Sequence, residues 1–151
     1  MKRMLLFLAM LLTALPIYAQ YELGTSSWIK SDAKAADFIS MIKSGIAYLE
    51  VDMDDFYYGV PENELYSRAY AYKAEIDRAG MKVWSCHLPF SEKLDISVAD
   101  PELREQNLEL LERMIRLCSI FQPKRLVLHA SSEPIADSLR PERLQCSRNS
   151  I

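Results

Sequence analysis

An α/β fold assembled from parallel β/α units is the fold class predicted by three observations. Strand-like runs alternate with longer stretches of helical periodicity along the chain. The junctions between them carry cap and turn residues. The strand cores Ile46–Val51 and Leu126–Leu128 are apolar, as befits a sheet covered on both faces or closed into a barrel. Strand–helix alternation implies parallel pairing through right-handed crossovers.

The elements follow in order. Tyr21 to Ser26 is a short first strand. Ser31-Asp32 offers an N-cap to a helix whose Ala35, Phe38, Ile39 and Ile42 recur at helical spacing, and Gly45 ends it, because glycine takes the left-handed conformation at little cost. Ile46 to Asp52 is the second strand. Asp54 to Pro61 is a loop in which Asp54 and Asp55 read as solvated, and Pro61 can open a helix at its first position. Leu65, Ala69, Tyr72 and Ile76 form the apolar stripe of that helix, and Gly80 closes it. Met81 to Leu88 is the third strand. After a loop, Asp100-Pro101 is a cap followed by a first-turn proline. Leu103, Leu110, Met114, Leu117 and Phe121 then mark the third helix, which Pro123 stops. Arg125 to His129 is the fourth strand, and a fourth helix starts near Pro141. Leu144 and Ile151 lie seven apart on one unfinished stripe, so the chain reads as cut inside a repeating architecture.

Composition narrows the function. The 151 residues carry 18 Lys+Arg against 21 Asp+Glu, and this mild acidity argues against a nucleic-acid partner, which needs clustered cations. Lys2 and Arg3 precede an uncharged, apolar run from Met4 to Leu15, and Ile17-Tyr18-Ala19 is a plausible cleavage sequence. Residues 1–19 thus read as a secretory signal peptide and residues 20–151 as one domain. The apolar run is too short to span a bilayer, so the expectation is export to a periplasmic or extracellular location with no stable membrane anchor. Three cysteines cannot all pair and lack metal-site spacing, and they are expected as free or buried thiols.

In parallel β/α folds, ligands bind at the C-terminal ends of the strands. Both histidines of the chain fall there: His87 ends the third strand and His129 the fourth. Alternation puts Ser85 with His87, and Val127 with His129 and Ser131. Glu50 shares a face with Tyr48 and Asp52, and it interrupts an apolar strand, where an unpaired carboxylate is costly. Imidazole converging with carboxylate suits a divalent transition metal such as Zn or Mn. His87, His129 and Glu50 are therefore the candidate substrate or metal site, with His87 and His129 as the metal ligands. No G-x-S-x-G motif or glycine-rich phosphate loop is present.

The segments Met81-Lys82-Val83-Trp84-Ser85-Cys86-His87 and Arg125-Leu126-Val127-Leu128-His129 resemble the third and fourth strands of the xylose isomerase-like barrel superfamily. Ile46-Ala47-Tyr48-Leu49-Glu50 is similar to its second strand. The resemblance spans about residues 21 to 148, and it implies the first four β/α units of a (β/α)8 TIM-type barrel, a fold that typically takes ~250 residues. It further implies an exported sugar or sugar-phosphate isomerase/epimerase-like protein with a small sugar-derived substrate. A divalent metal (Zn, Mn or Mg) would be completed in full-length relatives by ligands from strands five to eight, which also supply the acid/base. By that count this chain is a truncated half barrel, expected to bind metal weakly or not at all. The rival expectation is a non-catalytic binding module, or a half barrel needing a partner chain. The endonuclease IV relatives share the fold but conflict with the acidic charge. Four units leave two strand edges unpaired, so a homodimer or an aggregation-prone chain is expected. Val51, Val83, Leu126 and Leu128 are the residues at risk of facing an open barrel interior.

Overall fold

The computed structural model describes residues 21–132 and 134–151, and the signal-peptide reading of residues 1–19 lies outside the described residues. Four strands form one parallel sheet: β1 (Leu23–Ser26), β2 (Ile46–Asp52), β3 (Lys82–His87) and β4 (Arg125–Val127). Their order in the sheet is their order in the chain. Right-handed crossovers between sequential neighbours send every connecting helix to the same side. Those helices are α1 (Ala35–Lys43), α2 (Leu65–Ala79) and α3 (Pro101–Cys118), and α4 (Arg140–Ser150) follows β4. This is the winding of a barrel, not of an open sheet with helices on both faces. Among the described residues, no helix is long and apolar enough to cross a membrane.

The core lies between the sheet and the helices. Leu49, Val51 and Cys86 leave the sheet on the helix side and are fully buried. They meet Phe38 of α1, Ile76 of α2 and Leu117 of α3 in one cluster. Phe38, Phe56, Tyr72 and Phe121 interlock at its centre, with ring centroids 5.4 to 6.4 Å apart. Val83 and Leu128 pack partly buried against the same cluster, and Leu126 is in register with Cys86. None of the four aliphatic residues at risk of facing the interior therefore does so. An all-apolar strand conceals its parity, and here the helix layer claims the aliphatic positions.

Local chemistry places the boundaries. Asp100 caps α3, its Oδ1 accepting the N–H groups of Glu102 and Leu103 at 2.9 and 3.0 Å, with Pro101 in the first turn. Gly80 ends α2 at φ 74°, a left-handed conformation that costs other residues energy. Several expectations need correction. The N-cap of α1 is Lys34, not Ser31-Asp32, and the Asp37 carboxylate takes the Lys34 N–H at 2.9 Å. Pro61 opens a short 3-10 turn over Glu62–Glu64, and α2 begins only at Leu65. Ile39 and Leu103 are exposed, as are Leu144 and Ile151. At the start of α3 the inward position belongs instead to Asn107, whose amide donates to the carbonyls of Glu92 and Asp95. Asp54 and Asp55 lie half-buried in a 3-10 turn, because Asp52 Oδ1 accepts the Asp54 N–H at 2.9 Å and folds the segment inward.

Candidate functional site

The opposite face of the sheet carries the polar and aromatic residues. Glu50 is in register with Ser85, and Asp52 with His87, which is in turn in register with Val127. A bulge between β2 and β3 inserts one extra residue, Trp84, ahead of Ser85. Strict alternation would send Trp84 to the helix side. The bulge instead stands it against Tyr48, edge to face at 5.7 Å. Lys82 lies over the Tyr48 ring and Arg125 over the Trp84 ring, at 5.3 and 5.1 Å from their centroids. Together with Glu22, Gly24, Thr25, Glu50 and Ser85, the two aromatic rings line a cavity of about 410 Å³. Glycine at position 24 allows the close approach of β1 to β2: a Cβ there would lie 3.2 Å from the Tyr48 carbonyl oxygen, so a larger residue needs β2 to give by a few tenths of an ångström.

At the C-terminal end of the strands, Glu50, His87 and His129 form one line. Ser85 Oγ donates to Glu50 Oε2 at 2.7 Å, which turns Oε1 toward His87 Nδ1, 3.4 Å away. On the far side of the ring, His87 Nε2 meets His129 Nε2 at 2.8 Å, and the two rings stack at 21°. One proton arrangement suits both contacts: His87 presents Nδ1–H to the carboxylate, and its Nε2 accepts from His129. β4 itself ends at Val127, so His129 stands two residues beyond the ladder. Phe90 braces it edge-on at 5.1 Å. Tyr57 and Tyr58 fasten that brace, through the Ser91 hydroxyl and by donation to the Phe90 carbonyl at 3.0 Å.

The structure thus brings all three sequence-predicted residues together, and Asp54 is near enough to feel both imidazoles. Burial first, then repulsion from Asp52, lifts the Asp54 carboxyl above its ordinary range; Asp55 is raised by burial and by both neighbouring carboxylates. Imidazole nitrogens are ligands that suit a divalent transition metal, and here the two Nε2 atoms share a hydrogen bond. Glu50, however, lies on the other side of the His87 ring and orients it, as partners of metal-ligating histidines do. Among the described residues, no group of three His, Cys, Asp or Glu is placed to hold a metal ion.

Sequence reasoning passed over the support of the site. The side chain of Asp95 is wholly buried in the loop after β3. Its Oδ1 accepts from Ser97 N–H and Oγ at 2.8 and 2.7 Å. Its Oδ2 accepts from Ser132 N–H and Oγ at 2.8 and 2.7 Å, and also pairs with Arg143 of α4. Ser132 is three residues past His129, so this knot holds the loop that carries the second imidazole. Burial opposes the charge on Asp95, but the Ser132 and Ser97 donors outweigh it and hold the carboxyl below its usual 3.8. Nothing local in Leu94-Asp95-Ile96-Ser97 distinguishes such a carboxylate from a turn residue.

No protein-family model matches this sequence, and neither does any curated protein. Solved structures do. A protein provisionally assigned as a xylose isomerase, from Rhodospirillum rubrum ATCC 11170, superposes with a TM-score of 0.65 at 18% identity. The match covers 85% of this chain and 47% of that one. This chain has the fold of half a xylose isomerase-like barrel. D-psicose 3-epimerase from Clostridium cellulolyticum H10, solved with D-tagatose, gives 0.64 at 14% identity, covering 86% of this chain and 46% of the epimerase. A provisionally assigned sugar phosphate isomerase/epimerase from Anabaena variabilis ATCC 29413 gives 0.55 at 18% identity over 87% of this chain and 47% of that one. The half barrel therefore spans less than half the length of each of these structures.

Proposed function

We propose that this xylose isomerase-like half barrel binds a small sugar at the C-terminal strand ends and supplies the proton-handling side of an isomerase or epimerase site. The observation that carries this reading is the unbroken line Ser85–Glu50–His87–His129 at the mouth of the sheet. Aldose–ketose isomerisation and epimerisation beside a carbonyl both move a proton between carbon and a base. A paired imidazole held by a carboxylate can accept such a proton at His129 and pass it toward His87, while Glu50 stabilises the resulting imidazolium. Tyr48 and Trp84 offer an aromatic wall against which a sugar's C–H face can lie. The Rhodospirillum and Clostridium structures are described as acting on, or holding, sugars, which supports the choice of substrate class. No step is assigned to a metal, since two donors leave a tetrahedral site unfilled.

A binding module without turnover is the second reading, favoured by that same lack of a third ligand among the described residues. One experiment separates the two. The chain is incubated with D-fructose or D-tagatose in deuterated water, and both sugar deuteration and the imidazole NMR signals are followed. Shifts of both imidazoles together with deuterium beside the carbonyl, lost in His129→Ala, are the result expected of the first reading. Shifts without deuteration select the binding module. Unmoved imidazoles at high sugar concentration refute both.

A further inference from the structure

We propose that a second copy of this chain covers the open face of the sheet, and that the two copies close one eight-stranded barrel about a two-fold axis. The helices that connect the strands occupy one face only, as the sequential strand order requires. The other face presents Tyr48, Trp84, Arg125 and the Glu50–His87 pair, and Trp84 remains 42% exposed. Among the described residues, β1 and β4 each have one neighbour, so each offers an unpaired edge of parallel strand. A two-fold axis along the barrel sets β4 of one copy beside β1 of the other, both running the same way, and the operation makes the two seams identical. Four strands from each copy give the eight that side chains alone can fill.

The edges are matched in charge and in apolar character. Glu22 enters β1 on the open face, where it lines the cavity with Gly24 and Trp84. Arg125 opens β4 on that same face, in register with Ser85. Parallel closure puts the starts of β1 and β4 side by side, so Glu22 of one copy meets Arg125 of the other. The next residue on each edge is an exposed leucine: Leu23 at 55%, and Leu126, in register with Cys86, at 40%. Each seam therefore brings together opposite charges and a pair of exposed leucines. Closure also brings the two Glu50–His87–His129 lines to one mouth, so that each copy contributes to a shared site.

The test is sedimentation of the full chain, as recovered from the expressing cell, at micromolar concentration. Wild type is expected as a discrete dimer. Glu22→Arg and Arg125→Glu are each expected to weaken association at least tenfold, and the double variant Glu22→Arg/Arg125→Glu to restore it. Should a single variant fail to fold, Leu23→Cys/Leu126→Cys provides an independent readout. An intermolecular disulfide between those two positions, formed under air and located by peptide mapping, supports the seam. A monomeric wild type, heterogeneous aggregates, a dimer indifferent to the reversals, reversals without rescue in the double variant, or no cross-link at the leucine positions each overturn the proposal.

Discussion

His87 is oriented by a neighbour two residues earlier on its own strand. The Ser85 hydroxyl fixes one oxygen of Glu50, so the other faces His87, and the costly carboxylate inside β2 is thereby satisfied. Parity between Ser85 and His87, and between Val127 and His129, is enough to foresee this meeting from sequence. The cysteines obey similar local logic. Cys86 lies in β3 and Cys118 at the end of α3, both buried, while Cys146 on α4 is partly open. A hydrogen bond with the Cys118 thiol, and then burial, pushes the Cys86 thiol far up, which suppresses the reactive thiolate. Native protein treated with a disulfide reagent is therefore expected to modify Cys146 first, with Cys86 and Cys118 reacting only on unfolding. Three equivalents released at one rate under native conditions would contradict this packing.

Among the elements, α3 and α2 show how much a terminus contributes. Replacing Asp100 by Ala leaves two N–H groups uncapped and is expected to lower stability by about 1 kcal/mol. Gly80→Ala forces a side chain into left-handed backbone and is expected to cost roughly 1–2 kcal/mol. Chemical denaturation of each variant, read by circular dichroism, checks both figures. These termini were legible because a capping aspartate before proline, and a glycine after a periodic stripe, act within one turn of chain. The bulge at Trp84 was not legible: period-two alternation assumes an unbroken ladder, and one inserted residue reverses the face of everything before it. The stripe of α3 misled at Leu103 for a related reason. Its first turns face a loop, and a loop rewards Asn107, which satisfies backbone carbonyls, above an aliphatic chain.

Taken as a whole, the molecule depends on Asp95 to join segments far apart in the chain: the loop after β3, the loop after β4, and α4 through Arg143. Ser150 adds one more tie, its hydroxyl donating to the Ile96 carbonyl at 3.1 Å. Because folding lowers the Asp95 pKa from 3.8, its contribution is fully present above about pH 4 and is lost as pH falls through the lower folded value. Asp37, bonded to Lys30, and Glu75, which accepts the Ala35 N–H, are also lowered and slope the same way, although both are exposed enough for solvent to weaken them. Asp54 and Asp55, raised mainly by burial, slope oppositely, because protonation relieves them. The melting temperature is thus expected to be nearly flat near neutrality and to fall steeply below about pH 4. Asp95→Asn should cost about 3 kcal/mol at neutral pH, since it leaves Arg143 without its charged partner. It should also flatten the acid limb without abolishing it. Calorimetric melts of wild type and variant across this range decide the matter. An acid limb of unchanged steepness in Asp95→Asn would locate the acid-sensitive tie elsewhere.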